Sequence, residues 1–219
     1  MTSIVDTQTE AAEQEFLELF ARGPERMTWS DLPPQVGDPA PVLTLADSTG
    51  GDASLARFWA DGPALLIFWR HYACSCGMAR AERLRSEYAD YSDAGANVVV
   101  IGQAEPERSA AYAEEQGFGW PVLCDPSYEA YEAYGLTEGD AAQILFDAPS
   151  EFWTHPRDVG EQLVSTRREA GRPLVDNPWL LPGEFVVDGT GTIRLAYRYQ
   201  YCEDFPNPLV LTTAIRLAS

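Results

Sequence analysis

Between Val42 and Gly135 short apolar runs alternate with helical stretches that are opened by Pro or closed by Gly. Few architectures accept that order. "VLTLAD" (42–47) alternates as a half-buried strand does, and "ALLIFW" (64–69), "NVVVIGQ" (97–103) and "WPVLCD" (120–125) read as buried strands. Between them, "SLARFWA" (54–60) reads as a short helix and "MARAERLRSEYADYSDAG" (78–95) as a long one closed by Gly95. "PERSAAYAEEQG" (106–117) and "PSYEAYEAYG" (126–135) each carry Pro in the first turn and Gly after the last. Strands alternating with helices predict an α/β sheet that is mainly parallel.

The flanks differ. Residues 8–22 have apolar positions at helical spacing and stop at Gly23-Pro24; a Pro- and Gly-rich connection follows to residue 40. Residues 137–180 break the alternation with polar and aromatic loops, among them Trp153 and Trp179, and hold one helix near 158–170. "EFVVDGTGTIRLAYRY" (184–199) reads as two strands joined at "DGTG", an antiparallel hairpin, and "PLVLTTAIRLA" (208–218) as a closing helix. The expected organisation is therefore an N-terminal helix with linker (1–35) and one domain (36–219) carrying an insertion at about 137–180.

A net charge of −19 argues against nucleic acid and anionic membrane as partners, since both need a basic face. All fifteen basic residues are Arg, which excludes lysine Schiff bases and P-loop lysines. The first residues lack a basic region followed by an apolar core, so the expected location is the cytoplasm, where thiols stay reduced.

The chemistry concentrates in "RHYACSCGM" (70–78), at the junction of a strand and a helix. A cysteine in the first turn of a helix meets unpaired N–H groups and the positive end of the dipole, and both favour the thiolate. Cys74 meets that condition, and Arg70 and His71 are close enough in sequence to stabilise a thiolate or a leaving oxygen. Cys74 and Cys76 read as a redox pair, a metal clip, or one working thiol with a bystander. Side chains two apart on a helix diverge, so a bond between them needs local unwinding. Cys124 and Cys202 read as buried thiols, Cys202 also as a distant resolving thiol.

"VGDPAPVLTLAD" (36–47), "PVLCDPSYEAYEAYGL" (121–136) and "PGEFVVDGTGTIRLAY" (182–197) resemble successive landmarks of the alkyl hydroperoxide reductase and thiol-specific antioxidant superfamily. "FWRHYAC" (68–74) resembles its peroxiredoxin-like 2 branch. The resemblance runs from about residue 36 to 217. It implies a thioredoxin-like fold with peroxiredoxin-type elaborations, a central mixed sheet flanked by helices, and no cofactor. The implied activity is reduction of a peroxide or disulfide substrate by Cys74. The partner position that the resemblance expects, three residues on, is Gly77 here, and Cys76 is preferred as partner over a small thiol or a more distant cysteine. An external reductant, thioredoxin-like or a low-molecular-weight thiol, and a homodimer follow from the same resemblance. The common peroxidatic Pro-x-x-x-Thr-x-x-Cys is absent, with Ile67 and His71 at the Pro and Thr positions. Pro182 falls where thioredoxin-like proteins carry a cis-proline facing the site. Glu184 then replaces a small hydroxyl residue, either as a proton acceptor near the thiols or as an exposed carboxylate.

Two further classes stand beside this one. Cys-x-Cys with Met78 offers soft ligands for Cu(I), with His71 adjacent and His155 far along the chain. A non-catalytic binding protein on the same fold would use 137–180 as a pocket cover or interface.

Overall fold

A computed structural model describes residues 2–25, 29, 31–145, 150 and 154–219. Trp153 and parts of the linker and insertion lie outside the described residues. The helix α1 (Ile4–Arg22) opens on a capping box, Ser3 with Asp6. The strands β1 (Thr44–Asp47) and β2 (Asp52–Ser54), a 3₁₀ turn (Leu55–Phe58) and β3 (Ala64–Phe68) follow. Next come α2 (Ser75–Asp93), β4 (Asn97–Gly102), α3 (Pro106–Gln116), β5 (Val122–Cys124) and α4 (Glu129–Ala133). The insertion contains α5 (Ala141–Ile144) and α6 (Pro156–Glu169), and the chain closes with β6 (Gly183–Val187), β7 (Ile193–Arg198) and α7 (Pro208–Ala218).

Seven strands form one sheet in the order β2-β1-β5-β4-β3-β6-β7. The sheet is mixed rather than mainly parallel: only β3–β4 and β4–β5 run parallel, and the other four pairings are antiparallel. The alternation from Val42 identified β1 and the two crossover connections but is blind to the direction in which β1 pairs. That strand returns across β5 antiparallel and brings with it β2, too short to announce itself. "SLARFWA" is correspondingly a single 3₁₀ turn.

The central strands are buried on both faces, and period-2 alternation divides their side chains between two cores. Leu65, Ile67, Val98 and Val100 pack with Ala81 and Leu84 of α2, Tyr112 of α3 and Ile215 of α7. Leu66, Phe68, Val99 and Ile101 pack on the opposite face with Leu55, Tyr131 and Tyr134. A third cluster lies outside the sheet, where Phe16 and Phe20 of α1 meet Val164 of α6, Leu174, Trp179 and Ala73. The N-terminal helix thus packs beside the segment that carries the cysteines.

Two glycines in this region are dictated by close approach. Gly77, inside α2, lies against Trp69, whose Nε1 would be 3.2 Å from a Cβ there. Gly102 ends β4 beneath Tyr72, whose hydroxyl occupies the place a Cβ would take and pairs with Ser109 Oγ at 2.8 Å. Gly102→Ala is expected to push the Tyr72 ring off Tyr112, its stacking partner at 4.2 Å, and to cost about 1–3 kcal/mol by overpacking. Chemical denaturation reads the loss; an unchanged midpoint would contradict the packing.

Candidate active site

Strand β3 delivers the chain to the carboxyl end of the sheet, where Trp69 N–H still bonds to Ile101 O. Residues 70–73 then turn, with the Cys74 N–H donating to His71 O at 3.1 Å. Cys74 is the N-cap of α2, with extended backbone (φ −66°, ψ 131°), and Cys76 stands in the first turn. The two form a disulfide with Cα atoms 5.3 Å apart, mid-range for such bonds. The extended N-cap supplies the departure from helical geometry that the bond requires. The two sulfurs differ in access: Cys74 is half-buried, whereas Cys76 is 2% exposed.

The disulfide opens into a cavity of about 240 Å³ whose walls include Phe16, Phe20, Ile144 and Leu163, with the polar groups Arg70, His71 and Arg167. Arg70 is buried and donates from Nη1 to Leu180 O at 2.7 Å, leaving its Nε without a partner. Burial lowers its pKa to about 10, so it remains a cation at neutral pH. His71 is also buried, edge-on to Phe16, with an unpartnered Nδ1. Desolvation, then the charges of Arg70 and Arg167, hold its pKa well below 6.5. The imidazole is therefore neutral at physiological pH: Arg70 and Arg167 supply the positive charge, and His71 is left as a hydrogen-bonding group.

That neutrality affects stability. Below pH 6.5 the unfolded chain takes up a proton at residue 71 that the folded chain refuses, so stability falls with falling pH. The limiting slope is about 1.4 kcal/mol per pH unit. Urea titrations between pH 7 and 5 on the wild type and His71→Gln should show the variant lacking this component. Parallel curves would contradict a neutral, buried His71.

The remaining expected residues divide. Pro182 is in place, lining a narrow crevice with Cys76, but its peptide bond is trans, and no cis bond occurs among the described residues. The approach to β6 is held extended by Leu181 N–H to Thr137 O and by Tyr199 N–H to Pro182 O, and it enters the ladder without needing the cis turn. Glu184 is neither exposed nor a free acceptor. It is 1% exposed and gripped by Arg80 through Nε (2.8 Å) and Nη2 (3.1 Å), with the Tyr199 hydroxyl at 2.6 Å. Cys202 is buried as expected, yet lines both the cavity and the crevice. Cys124 is buried at the end of β5, and burial lifts its thiol to about 11.

The Cu(I) ligand set is not drawn together. Met78 lines a different cavity, beside Tyr112 and Arg172, and His155 is exposed at the start of α6. Among the described residues no group of three His, Cys, Asp or Glu is placed to hold a metal. No helix among them is long and apolar enough to cross a membrane.

Sequence reasoning offered 137–180 as a pocket cover in one reading but missed that α1 shares in it. Phe16 and Phe20 stack at 5.7 Å, and Phe20 stacks on Trp179 at 5.3 Å. Arg168 of α6 pairs with buried Glu13 of α1, Arg167 reaches the cavity, and Arg172 donates to Ala73 O at 3.3 Å. The spacing Ala12, Phe16, Phe20 showed a helical face; nothing local showed what it covers.

A seven-stranded mixed sheet with a half-exposed disulfide at the N-terminus of the helix after β3 defines a thioredoxin-fold protein with a dithiol–disulfide centre. Residues 36–196 match the AhpC/TSA family, and the chain belongs to it. It is 35% identical over 100 residues to the Mycobacterium tuberculosis protein named "Putative peroxiredoxin Rv2521", covering 45% of this chain and 62% of that one. It is 28% identical over 105 residues to peroxiredoxin Bcp of Escherichia coli K12, covering 48% of this chain and 66% of that one. The chain thus spans less than two thirds of the length of either relative. In structure it is similar to peroxidoxin BcpB of M. tuberculosis (TM-score 0.61, 18% identity, 85% of this chain and 99% of that one). It also resembles a thiol peroxidase from Chromobacterium violaceum (TM-score 0.57, 16% identity, 83% and 86% covered). At these identities the structural likeness speaks for the fold.

Proposed function

We propose that the protein reduces peroxides with thiols, Cys74 being the attacking residue and Cys76 the resolving one. The Cys74–Cys76 disulfide, with its accessible sulfur facing a cation-lined cavity, carries this reading. The Cys74 thiolate attacks the terminal peroxide oxygen, an S–O bond forms as the O–O bond breaks, and the departing oxygen leaves as alcohol or water after taking a proton. The Cys74 sulfenic acid is then attacked by Cys76, which expels water and leaves the disulfide. An external dithiol, or two low-molecular-weight thiols, attacks the more exposed sulfur and returns both cysteines to the reduced state.

Arg70 and Arg167 favour the thiolate and the developing charge on the leaving oxygen, and His71, being neutral, positions rather than charges. The apolar walls favour an organic hydroperoxide or a disulfide-bearing chain over a small polar oxidant. The protein acts in the cytoplasm as a homodimer in this reading, and light scattering on the purified protein checks the latter. The activity is tested by following peroxide loss with a dithiol reductant while alkylating and mapping thiols by mass spectrometry. Formation of Cys74–Cys76 at the rate of peroxide loss is the expected result. A Cys74 that stays reduced under peroxide would overturn the proposal.

A further inference from the structure

Cys202 lies beyond the 36–196 match, in the connection between β7 and α7. Its place is nonetheless specific. It lines the cavity into which Cys74 opens, and it lines the crevice that Cys76 shares with Pro182, Tyr199 and Phe205. The loop is positioned by Cys202 N–H to Gln143 O (3.3 Å) and by the thiol to Ile144 O (3.8 Å), both contacts to α5 of the insertion.

A second observation comes from Arg70. This side chain is 96% buried by its 4% exposure, lines both the cavity and the crevice, and keeps an unpartnered Nε. Its charge is the one that works against the burial of the Cys202 thiol, and the Cys202 charge in turn supports that of Arg70. Burial, with Glu203 beside it, holds the Cys202 thiol above its ordinary range, and the buried guanidinium with its free donor is the group placed to offset this and support an anion at that sulfur during attack.

We infer that Cys202 is a third redox thiol, which exchanges with the Cys74–Cys76 disulfide to form Cys76–Cys202 and release Cys74. The inference rests on the dithiol reading above and extends it. The Cys202 thiolate attacks Sγ of Cys76; the new S–S bond forms as the old one breaks, and the electron pair leaves on Cys74. The proton given up by Cys202 passes to solvent or to Cys74, and no external oxidant is consumed. Cys74 is the better leaving group of the pair, since it sits at the N-cap of α2 among cations. The outcome moves the oxidised bond to two buried sulfurs and returns a reactive thiol to the cavity.

The test uses the full chain. Reduced protein receives one equivalent of hydrogen peroxide, is quenched in acid, denatured, alkylated with N-ethylmaleimide and mapped by mass spectrometry. The expected result is Cys76–Cys202 alongside Cys74–Cys76, with Cys74 alkylated wherever Cys76–Cys202 is found and Cys124 alkylated throughout. Cys202→Ser should lose that species and, with it, the alkylation of Cys74 in oxidised molecules. In Cys74→Ser, diamide should link Cys76 to Cys202. A wild type that shows Cys74–Cys76 with Cys202 always alkylated overturns the exchange and leaves the dithiol reading standing. A wild type in which peroxide oxidises neither Cys74 nor Cys76 overturns both.

Discussion

Cys74→Ser is expected to lower peroxide turnover by at least about 10³-fold, the loss typical of removing an attacking nucleophile. A serine hydroxyl does not ionise near neutral pH, so the cations around the cavity would have no thiolate to stabilise. Cys76→Ser should behave differently. The attacking sulfur and the cavity remain, and one peroxide is consumed per chain before Cys74 stalls as sulfenic acid or passes to a small thiol. The asymmetry follows from access: Cys74 is half-buried at the helix N-cap, whereas Cys76 is 2% exposed and faces the crevice. Stopped-flow measurement of peroxide loss, with mass spectrometry of the stalled enzyme, separates the two. If Cys76→Ser lost the first turnover while Cys74→Ser kept it, the order of the cysteines would be reversed. If both kept full turnover, the centre would lie elsewhere.

The parts of the molecule legible in advance are those with a period. The runs at 64–69 and 97–103 read as buried strands, and Pro106 and Gly117 marked both ends of α3. Helix α4 begins three residues after Pro126, at Glu129 behind a left-handed Tyr128, so there only Gly135 marked the end. The position of Cys74 at a strand-to-helix junction followed from the same signals. What stayed hidden depends on partners distant in the chain. Glu184 sits in the apolar strand β6, and its counter-ion Arg80 is 104 residues away, so neither sequence neighbourhood announces the pair. The burial of Cys202 was readable from its type, but the cavity it shares was not, because a loop has no repeat to project. The trans geometry of Pro182 shows the limit of resemblance: the position was transferable, whereas the isomer depends on how residues 180–182 are hydrogen-bonded here. The cover formed by α1 and α6 had a visible apolar face and an invisible target.

Glu184→Gln is expected to destabilise the protein by about 3–5 kcal/mol, because it takes from a buried cation the carboxylate that holds it through two nitrogens and leaves it only the shared Glu87. Arg80 is 4% exposed and is held by Glu184 on one side and by Glu87 Oε2 at 2.9 Å on the other. Glu87 also receives the Tyr91 hydroxyl at 2.8 Å and a contact from Arg83. It therefore has demands of its own and cannot fully replace Glu184. Urea unfolding should show a lower midpoint, and the melting temperature should fall by roughly 6–20 °C for a chain of this size. Arg80→Met with Glu184→Met should recover part of the loss, since neither member of that pair is stranded and Glu87, which loses Arg80, keeps Arg83 and the Tyr91 hydroxyl. A cost below about 1 kcal/mol for Glu184→Gln would mean that Arg80 is satisfied without it. The pair also bears on chemistry. Arg80 follows Cys76 by one turn of α2, and Glu184 is opposite Ile67 in the β3–β6 register, so the ion pair ties the reactive end of the helix to the sheet. In the fraction that remains folded, Glu184→Gln should slow resolution by Cys76 more than attack by Cys74, because Cys76 shares its crevice with Arg80 whereas Cys74 opens to the cavity.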